Sequence, residues 1–232
     1  MTHALIVTHG QPSDPEPAEA VLAAYAADVN ALCAGVSVHS ATLAAPGALD
    51  SALDKIPGDA VIYPLFMAKG WFVTDVLPKR IGDRRNPILD PLGADPKLPQ
   101  LVAQTLEGTL QDKDWRSQET DLVIAAHGSG RSRNPSAVAT AFGDTLLQLI
   151  PLGSLRLGFV EEAPSISVAA AGTGAQTLCL PFFACTGGHV LEDVPQELSK
   201  AKFKGQVLPV VGELPLVQQH IASVLKAFSS SK

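Results

Sequence analysis

Two histidines and a glutamate stand where a parallel sheet presents chemistry. His127 follows the apolar run Asp121–Ala126, Glu161 follows Leu155–Val160, and His189 follows Ala175–Phe183 through a Gly-Gly loop. Each run is short, apolar and bounded by turn residues, which predicts a buried parallel strand. The carboxyl ends of such strands are where open α/β sheets bind ligands. Two imidazoles and a carboxylate suit a divalent first-row metal with open coordination positions. They suit proton abstraction near neutral pH equally well, because imidazole titrates there. Sequence alone leaves ligand and base open for each group. Taken singly, a strand-end histidine is more often a hydrogen-bonded loop residue, and an acid such as Glu161 is often an ordinary helix-start charge. The three together favour a working site.

A second feature adjoins the first histidine. The stretch His127–Ser136, HGSGRSRNPS, places Ser129, Arg131 and Arg133 on a Gly/Ser-rich loop at the mouth of a predicted helix. Free backbone donors, hydroxyls and guanidinium groups there make a carboxylate or phosphate cradle. The bland reading is a turn with two solvated arginines. G-K-[ST] and G-x-G-x-x-G are both absent, which excludes a Walker loop and a dinucleotide fingerprint. A hydrolase reading of the loop is weaker still, because no G-x-S-x-G elbow exists. Cys185 lies near His189 in sequence; a buried thiol is its commoner role than a soft ligand.

The elements that must position these residues come twice. In the first series, strands are expected at Ala4–Thr8, Val36–Leu43, Asp59–Met67 and Ile88–Leu92. Helices are expected at Ala18–Ala34, Leu49–Lys55, Asp75–Ile81 and Leu98–Leu110. Polar Gln111–Thr120 reads as a linker. The second series has strands at Asp121–Ala126, Leu155–Val160, Ala175–Phe183 and Val207–Val211, and helices at Pro135–Leu149, Glu192–Lys200 and Leu216–Phe228. His9 and His127, Pro46 and Pro164, Pro64 and Pro181, Gly70 and Gly187, Pro78 and Pro195, and Gly93 and Gly212 align at a separation of about 118 residues. An ordered series at near-constant offset points to an internal duplication. The expected fold is α/β, with homologous halves at 1–112 and 121–232. Each half would be a roughly four-stranded parallel sheet flanked by helices, with a cleft between the halves.

The two copies differ where chemistry is expected. Opposite His127, Glu161 and His189 the first half offers His9, Leu43 and Phe72. One working site in the second half is the economical reading, with His9 in reach of a substrate from a degenerate first half. Lys69, Lys79, Arg80, Arg84 and Arg85 are expected near the matching edge of the first half.

Composition sets limits. The 17 basic and 23 acidic residues give a net charge of −6, which argues against general nucleic-acid affinity. No run approaches the roughly 18 apolar residues of a membrane span. The sequence enters an apolar strand at once, without a charged leader. Three scattered cysteines with no C-x-x-C pair fit a reducing, cytoplasmic setting. Duplication already supplies both halves, so a monomer is expected.

These residues resemble a known group. The His-Gly-Ser loop, Val160-Glu161-Glu162-Ala163-Pro164, and Pro181-Phe182-Phe183 through Gly187-Gly188-His189-Val190 to Asp193-Val194-Pro195 are similar to the class II tetrapyrrole chelatases. The match is best to the sirohydrochlorin chelatases of anaerobic cobalamin and siroheme synthesis. The resemblance covers nearly the whole chain. It implies a two-domain chelatase fold and ATP-independent insertion of Co²⁺ or Fe²⁺ into sirohydrochlorin, with the metal as substrate and no organic cofactor. It places the site histidines at His127 and His189 and the site acid at Glu161, with Glu162 as a substitute or a substrate contact. Ser129, Arg131, Arg133 and His9 would hold peripheral carboxylates. Two departures stand out: the first half lacks the second histidine and the acid, and no His-rich or Cys-rich tail is present. The competing class is a non-catalytic tetrapyrrole- or metal-binding protein or chaperone on the same fold.

Overall fold

The computed structural model describes residues 2–129 and 134–230. The first sheet is built from β1 (Thr2–Thr8), β2 (Val36–Thr42) and β3 (Val61–Pro64), all parallel, in the order β2-β1-β3. Ala4–Val7 are wholly buried, as a central strand covered on both faces requires. Helices α1 (Pro15–Ala31), α2 (Ala48–Lys55) and α3 (Leu77–Ile81) surround it. Proline at the start of α1 costs no hydrogen bond there. Helix α1 buries Leu22, Tyr25, Ala26 and Val29, a spacing of three and four that defines one face. The expected fourth strand at Ile88–Leu92 shrinks to a single bridge, Ile62 with Ile88. Pro87 and Pro91 flank it and have no N–H to extend a ladder. The first sheet is therefore three-stranded.

The second sheet has β4 (Asp121–Ala126), β5 (Ser154–Phe159), β6 (Thr177–Phe182) and β7 (Gln206–Val207), parallel and in the order β5-β4-β6-β7. Around it lie α4 (Leu98–Asp112), α5 (Asn134–Leu149), α6 (Ile166–Ala170) and α7 (Val194–Lys200). Val194 and Leu198 of α7 join Ile166 and Ala169 of α6 over Val123, Ala125 and Cys179 of the sheet. Each fully buried Val, Leu or Ile there contributes about 1.5–3 kcal/mol. Helix α6 was not expected from the sequence. It starts at Ser165, whose Oγ accepts the Val168 N–H at 3.3 Å, an N-cap that the short Ile-Ser-Val pattern hides.

The compact units are not the two sequence halves. Residues up to 95 and those from 217 onward form one unit, and Pro96–Leu216 form the other. Helix α8 (Pro215–Ser230) thus belongs with the first sheet. It buries Val217, Ile221, Ala222 and Leu225, the Cys33 thiol donates to the Ala222 carbonyl, and His220 Nε2 meets Asp95 Oδ2 at 2.7 Å. Helix α4 packs with α5 and belongs with the second sheet. The expected boundaries 1–112 and 121–232 are corrected accordingly: the last helix of each half lies in the other unit, and the expected linker lies inside the second.

The repeat survives in backbone detail. Before α3 and α7 the chain forms a π-helical turn, Phe72–Val76 in the first unit and His189–Asp193 in the second. Gly70 O accepts from Val73 and Thr74, and Gly187 O accepts from Val190 and Leu191. Leu77 N–H donates to Phe72 O, and Val194 N–H donates to His189 O. In both copies a proline comes next, Pro78 or Pro195. It cannot donate to the carbonyl four residues back, so the turn widens and the preceding N–H reaches five residues back.

Glu197 accepts from the Lys200 ammonium at 2.6 Å and from the Ser167 N–H at 3.1 Å, the latter tying α7 to α6. These bonds hold its carboxyl at about 2, below its ordinary 4.5. The folded state therefore gains stability from Glu197 in full above the ordinary value, and that gain disappears as pH falls towards 2. Urea midpoints should place Glu197→Gln below wild type at pH 6. The gap should close between pH 4.5 and 2. A gap unchanged across that window would show the bonds to be unimportant.

Candidate metal centre

Three adjacent strands deliver three groups to one place. Central β4 ends at Ala126, and His127 follows directly. Beside it, β5 ends at Phe159, yet its pairing continues: Val160 N–H donates to Ala126 O at 3.0 Å and Glu161 N–H to His127 O at 3.0 Å. Glu161 is thereby pinned next to His127. On the other side β6 runs through the Gly187-Gly188 loop into the π-helical turn that begins at His189. One ligand atom from each of His127, Glu161 and His189 lies within 4.8 Å of the others. The imidazoles meet edge to face with centroids 4.5 Å apart, and His127 Nε2 lies 3.8 Å from Glu161 Oε1.

Hydrogen bonds decide which nitrogen each ring offers. His127 Nδ1 lies 2.7 Å from the Gly128 carbonyl, which can only accept, so Nδ1 carries the proton. Gly128 has φ +68°, and this left-handed conformation turns its carbonyl back towards the ring. His189 Nδ1 lies 2.7 Å from Asp193 Oδ2. In its neutral form each ring then offers the Nε2 lone pair, the state a metal ligand needs. The side chains of His127, Glu161 and His189 are 41%, 47% and 42% exposed, open enough for a metal and a substrate to arrive.

Asp193 was not singled out as a site residue by its sequence. The signal was present: an acid four residues after a histidine lies on the same helix face. Its carboxylate fixes the ring orientation and the tautomer of His189. Asp193→Ala should weaken Co²⁺ binding about 10–100-fold, while Asp193→Asn, which keeps an acceptor oxygen, should lose less. Calorimetric titration of the metal-free protein checks this, and equal affinity in all three proteins would remove Asp193 from the site.

Glu162 does not join the trio. Its Oε1 accepts the Ser129 N–H at 2.8 Å, so it grips the loop after His127, and Ser129 contributes that N–H to the grip. Arg131 and Arg133 lie outside the described residues. Cys185 is outside the trio, and its thiol is pushed up to about 12 by burial and then by Glu213. Arg80 donates to the Leu43 carbonyl at 2.8 Å, and Lys69 pairs with Asp90. Arg84 and Arg85 line a hollow of about 660 Å³ with Gly58, Asp59 and Asn86. That hollow precedes β3, at the amino ends of the strands, so these two arginines are not at the expected edge and the hollow holds none of the trio.

The first sheet repeats the scaffold without the trio. His9 Nδ1 faces the Gly10 carbonyl at 2.9 Å, as His127 faces Gly128. Phe72 occupies the place of His189, with its ring 4.2 Å from His9. The position of Glu161 belongs to Ala44, because Ala44 N–H is the donor to His9 O. The sequence alignment had put Leu43 there. Its proline anchors concealed a connection one residue shorter between the first two strands of the second half, and Leu43 lies in the core.

Known proteins carry the same architecture. The CbiX family model matches residues 121–227, the half that holds the trio. A solved structure of CbiX, the terminal enzyme of siroheme biosynthesis in denitrifying bacteria, is 43% identical. It covers 98% of this chain and 99% of its own, with a TM-score of 0.84. The chain belongs to the CbiX family. A probable sirohydrochlorin cobaltochelatase of Halobacterium salinarum is 21% identical over 166 residues, 60% of this chain and 56% of that protein, so the match spans little more than half its length. SirB from Bacillus subtilis, solved with Fe³⁺, shares the fold at 16% identity, 100% and 98% coverage and a TM-score of 0.72. Two parallel sheets flanked by helices are thus the architecture this chain shares with its family. No helix among its described residues is long and apolar enough to cross a membrane.

Proposed function

We propose that this CbiX-family chain is a sirohydrochlorin chelatase that inserts Co²⁺ or Fe²⁺ without ATP, using a site in the second sequence half. The convergence of His127, Glu161 and His189 carries the reading. Imidazole and carboxylate donors accept both ions, so the donor set fits either metal. The incoming metal is held by His127 Nε2, His189 Nε2 and Glu161, with its remaining positions open to the macrocycle. As the metal moves onto the pyrrole nitrogens, two N–H protons must leave. The same movement frees the two imidazole lone pairs, which then take one proton each. Glu161, beside His127 and half exposed, passes protons on to water. One group is thus a ligand before transfer and a base after it.

Arg131 and Arg133, close to His127 in sequence, are proposed to grip peripheral carboxylates of the substrate. Their alanine variants should raise KM at near-constant kcat. One chain supplies all three metal-facing groups, which supports a monomer. Three unpaired cysteines support a cytoplasmic setting. The deciding experiment mixes purified protein with metal-free sirohydrochlorin and Co²⁺ or Fe²⁺ and follows the absorption spectrum. Turnover beyond one equivalent supports a chelatase. Uptake that stops at one equivalent supports a carrier instead.

A further inference from the structure

Each metal-facing histidine adjoins a loop, and each loop is gripped by a carboxylate from a neighbouring segment. After His127, the Ser129 N–H donates to Glu162 Oε1 at 2.8 Å. Before His189, the Thr186 N–H donates to Glu213 Oε1 at 2.6 Å, and the Thr186 hydroxyl donates to Glu213 Oε2 at 3.0 Å. Glu213 closes a 3₁₀ turn, Val211–Glu213, whose Gly212 N–H donates to Phe183 O at 3.1 Å. This turn and Glu213 together bind the segment from Phe183 to Thr186, immediately ahead of the Gly187-Gly188 hinge that carries His189. A loop with two adjacent glycines has much conformational freedom to lose, so an anchor beside it has a large effect on where His189 rests.

The first unit serves as an internal control. Its matching 3₁₀ turn, Leu92–Ala94, keeps the same backbone bond, Gly93 N–H to Phe66 O at 3.0 Å, but ends in Ala94 where the second copy has Glu213. The residues after β2 are Ala44 and Ala45 where the second copy has Glu161 and Glu162. The scaffold therefore stands without either grip. The grips are absent in the copy that lacks the second histidine and the acid.

We propose that Glu213, acting through Thr186, and Glu162, acting through Ser129, are positioning residues that hold His189 and His127 in metal-binding geometry. The inference rests on the reading of the trio as a metal site. Neither carboxylate meets the metal. Each acts as a hydrogen-bond acceptor for backbone, so geometry rather than charge is what it supplies. A glutamine can reproduce this at Glu213: its amide oxygen accepts the Thr186 N–H, and the threonine hydroxyl, which can also accept, turns to take the amide N–H.

The test is calorimetric titration of metal-free protein with Co²⁺, for wild type, Glu213→Ala, Glu213→Gln, Thr186→Val and Glu162→Ala, with kcat and KM for Co²⁺ measured alongside. Glu213→Ala and Glu162→Ala should each weaken Co²⁺ binding about 10-fold or more, seen as a raised KM for Co²⁺. Glu213→Gln should restore affinity to within about 3-fold of wild type, as hydrogen bonding without charge requires. Thr186→Val keeps the N–H, loses the hydroxyl bond and should fall between. It also serves as the second probe if Glu213→Ala does not fold. Wild-type affinity in Glu213→Ala and Glu162→Ala, or equal losses in Glu213→Ala and Glu213→Gln, would overturn the proposal. Wild-type protein that binds no Co²⁺ would instead overturn the metal site itself, and this inference with it.

Discussion

His127→Ala and His189→Ala should each lower the rate of metal insertion about 100-fold or more while leaving the fold intact. On the proposed mechanism, each substitution removes one of two imidazole donors and also one of the two bases for the pyrrole protons. A carboxylate and one imidazole make a poor site for a divalent first-row ion. The fold should tolerate both changes, because both rings are half exposed on strand-end loops and no core cavity opens. Glu161→Gln should fall less far. The amide keeps a weak donor oxygen but loses the charge that holds the cation and relays protons. Initial rates with Co²⁺ and with Fe²⁺, beside circular dichroism spectra, check all three.

Gly212→Ala and Gly93→Ala should each cost about 3 kcal/mol or more in stability. A Cβ on Gly212 would stand 1.8 Å from the Ala184 carbonyl oxygen, and one on Gly93 would stand 1.8 Å from the Met67 oxygen. Both obstacles are backbone and cannot swing aside as a side chain does. The adjoining bonds, Gly212 N–H to Phe183 O and Gly93 N–H to Phe66 O, hold the segments together at the same point. Gly108 gives the opposite sign. It lies within α4 with nothing within 4 Å of a built Cβ, so Gly108→Ala should stabilise by about 0.5–1 kcal/mol. Denaturant unfolding separates the three. A stable Gly212→Ala protein would mean that the two segments can part without loss.

Much of this was legible in the sequence, for physical reasons. Fully buried parallel strands read as plain apolar runs, and Asp121–Ala126 has the same bounds in the structure. A parallel strand also aims whatever follows it at the ligand edge, so His127, Glu161 and His189 stood out together, though none did by place alone. The losses are equally physical. The π-helical turn at His189 arises from a missing N–H at Pro195, which no hydrophobic periodicity records. Asp193 and Glu213 act through hydrogen bonds whose partners are fixed only once the loops are folded. The exchange of α4 and α8 between units could not be seen, since an amphipathic helix declares an apolar face but not the surface that face covers. Leu43 stood in for Ala44 because matching prolines outweighed a one-residue difference that only strand register exposes.

One copy of the duplicated scaffold is proposed to work and the other not. His9 has the same backbone contact as His127, yet it faces Phe72 and Ala44 where the second copy offers His189 and Glu161. The most direct test is kcat/KM for Co²⁺ insertion into sirohydrochlorin by His9→Ala and His189→Ala, measured side by side. The expected result is His9→Ala within a few-fold of wild type and His189→Ala nearly inactive. An inactive His9→Ala beside an active His189→Ala would place the site in the first half instead.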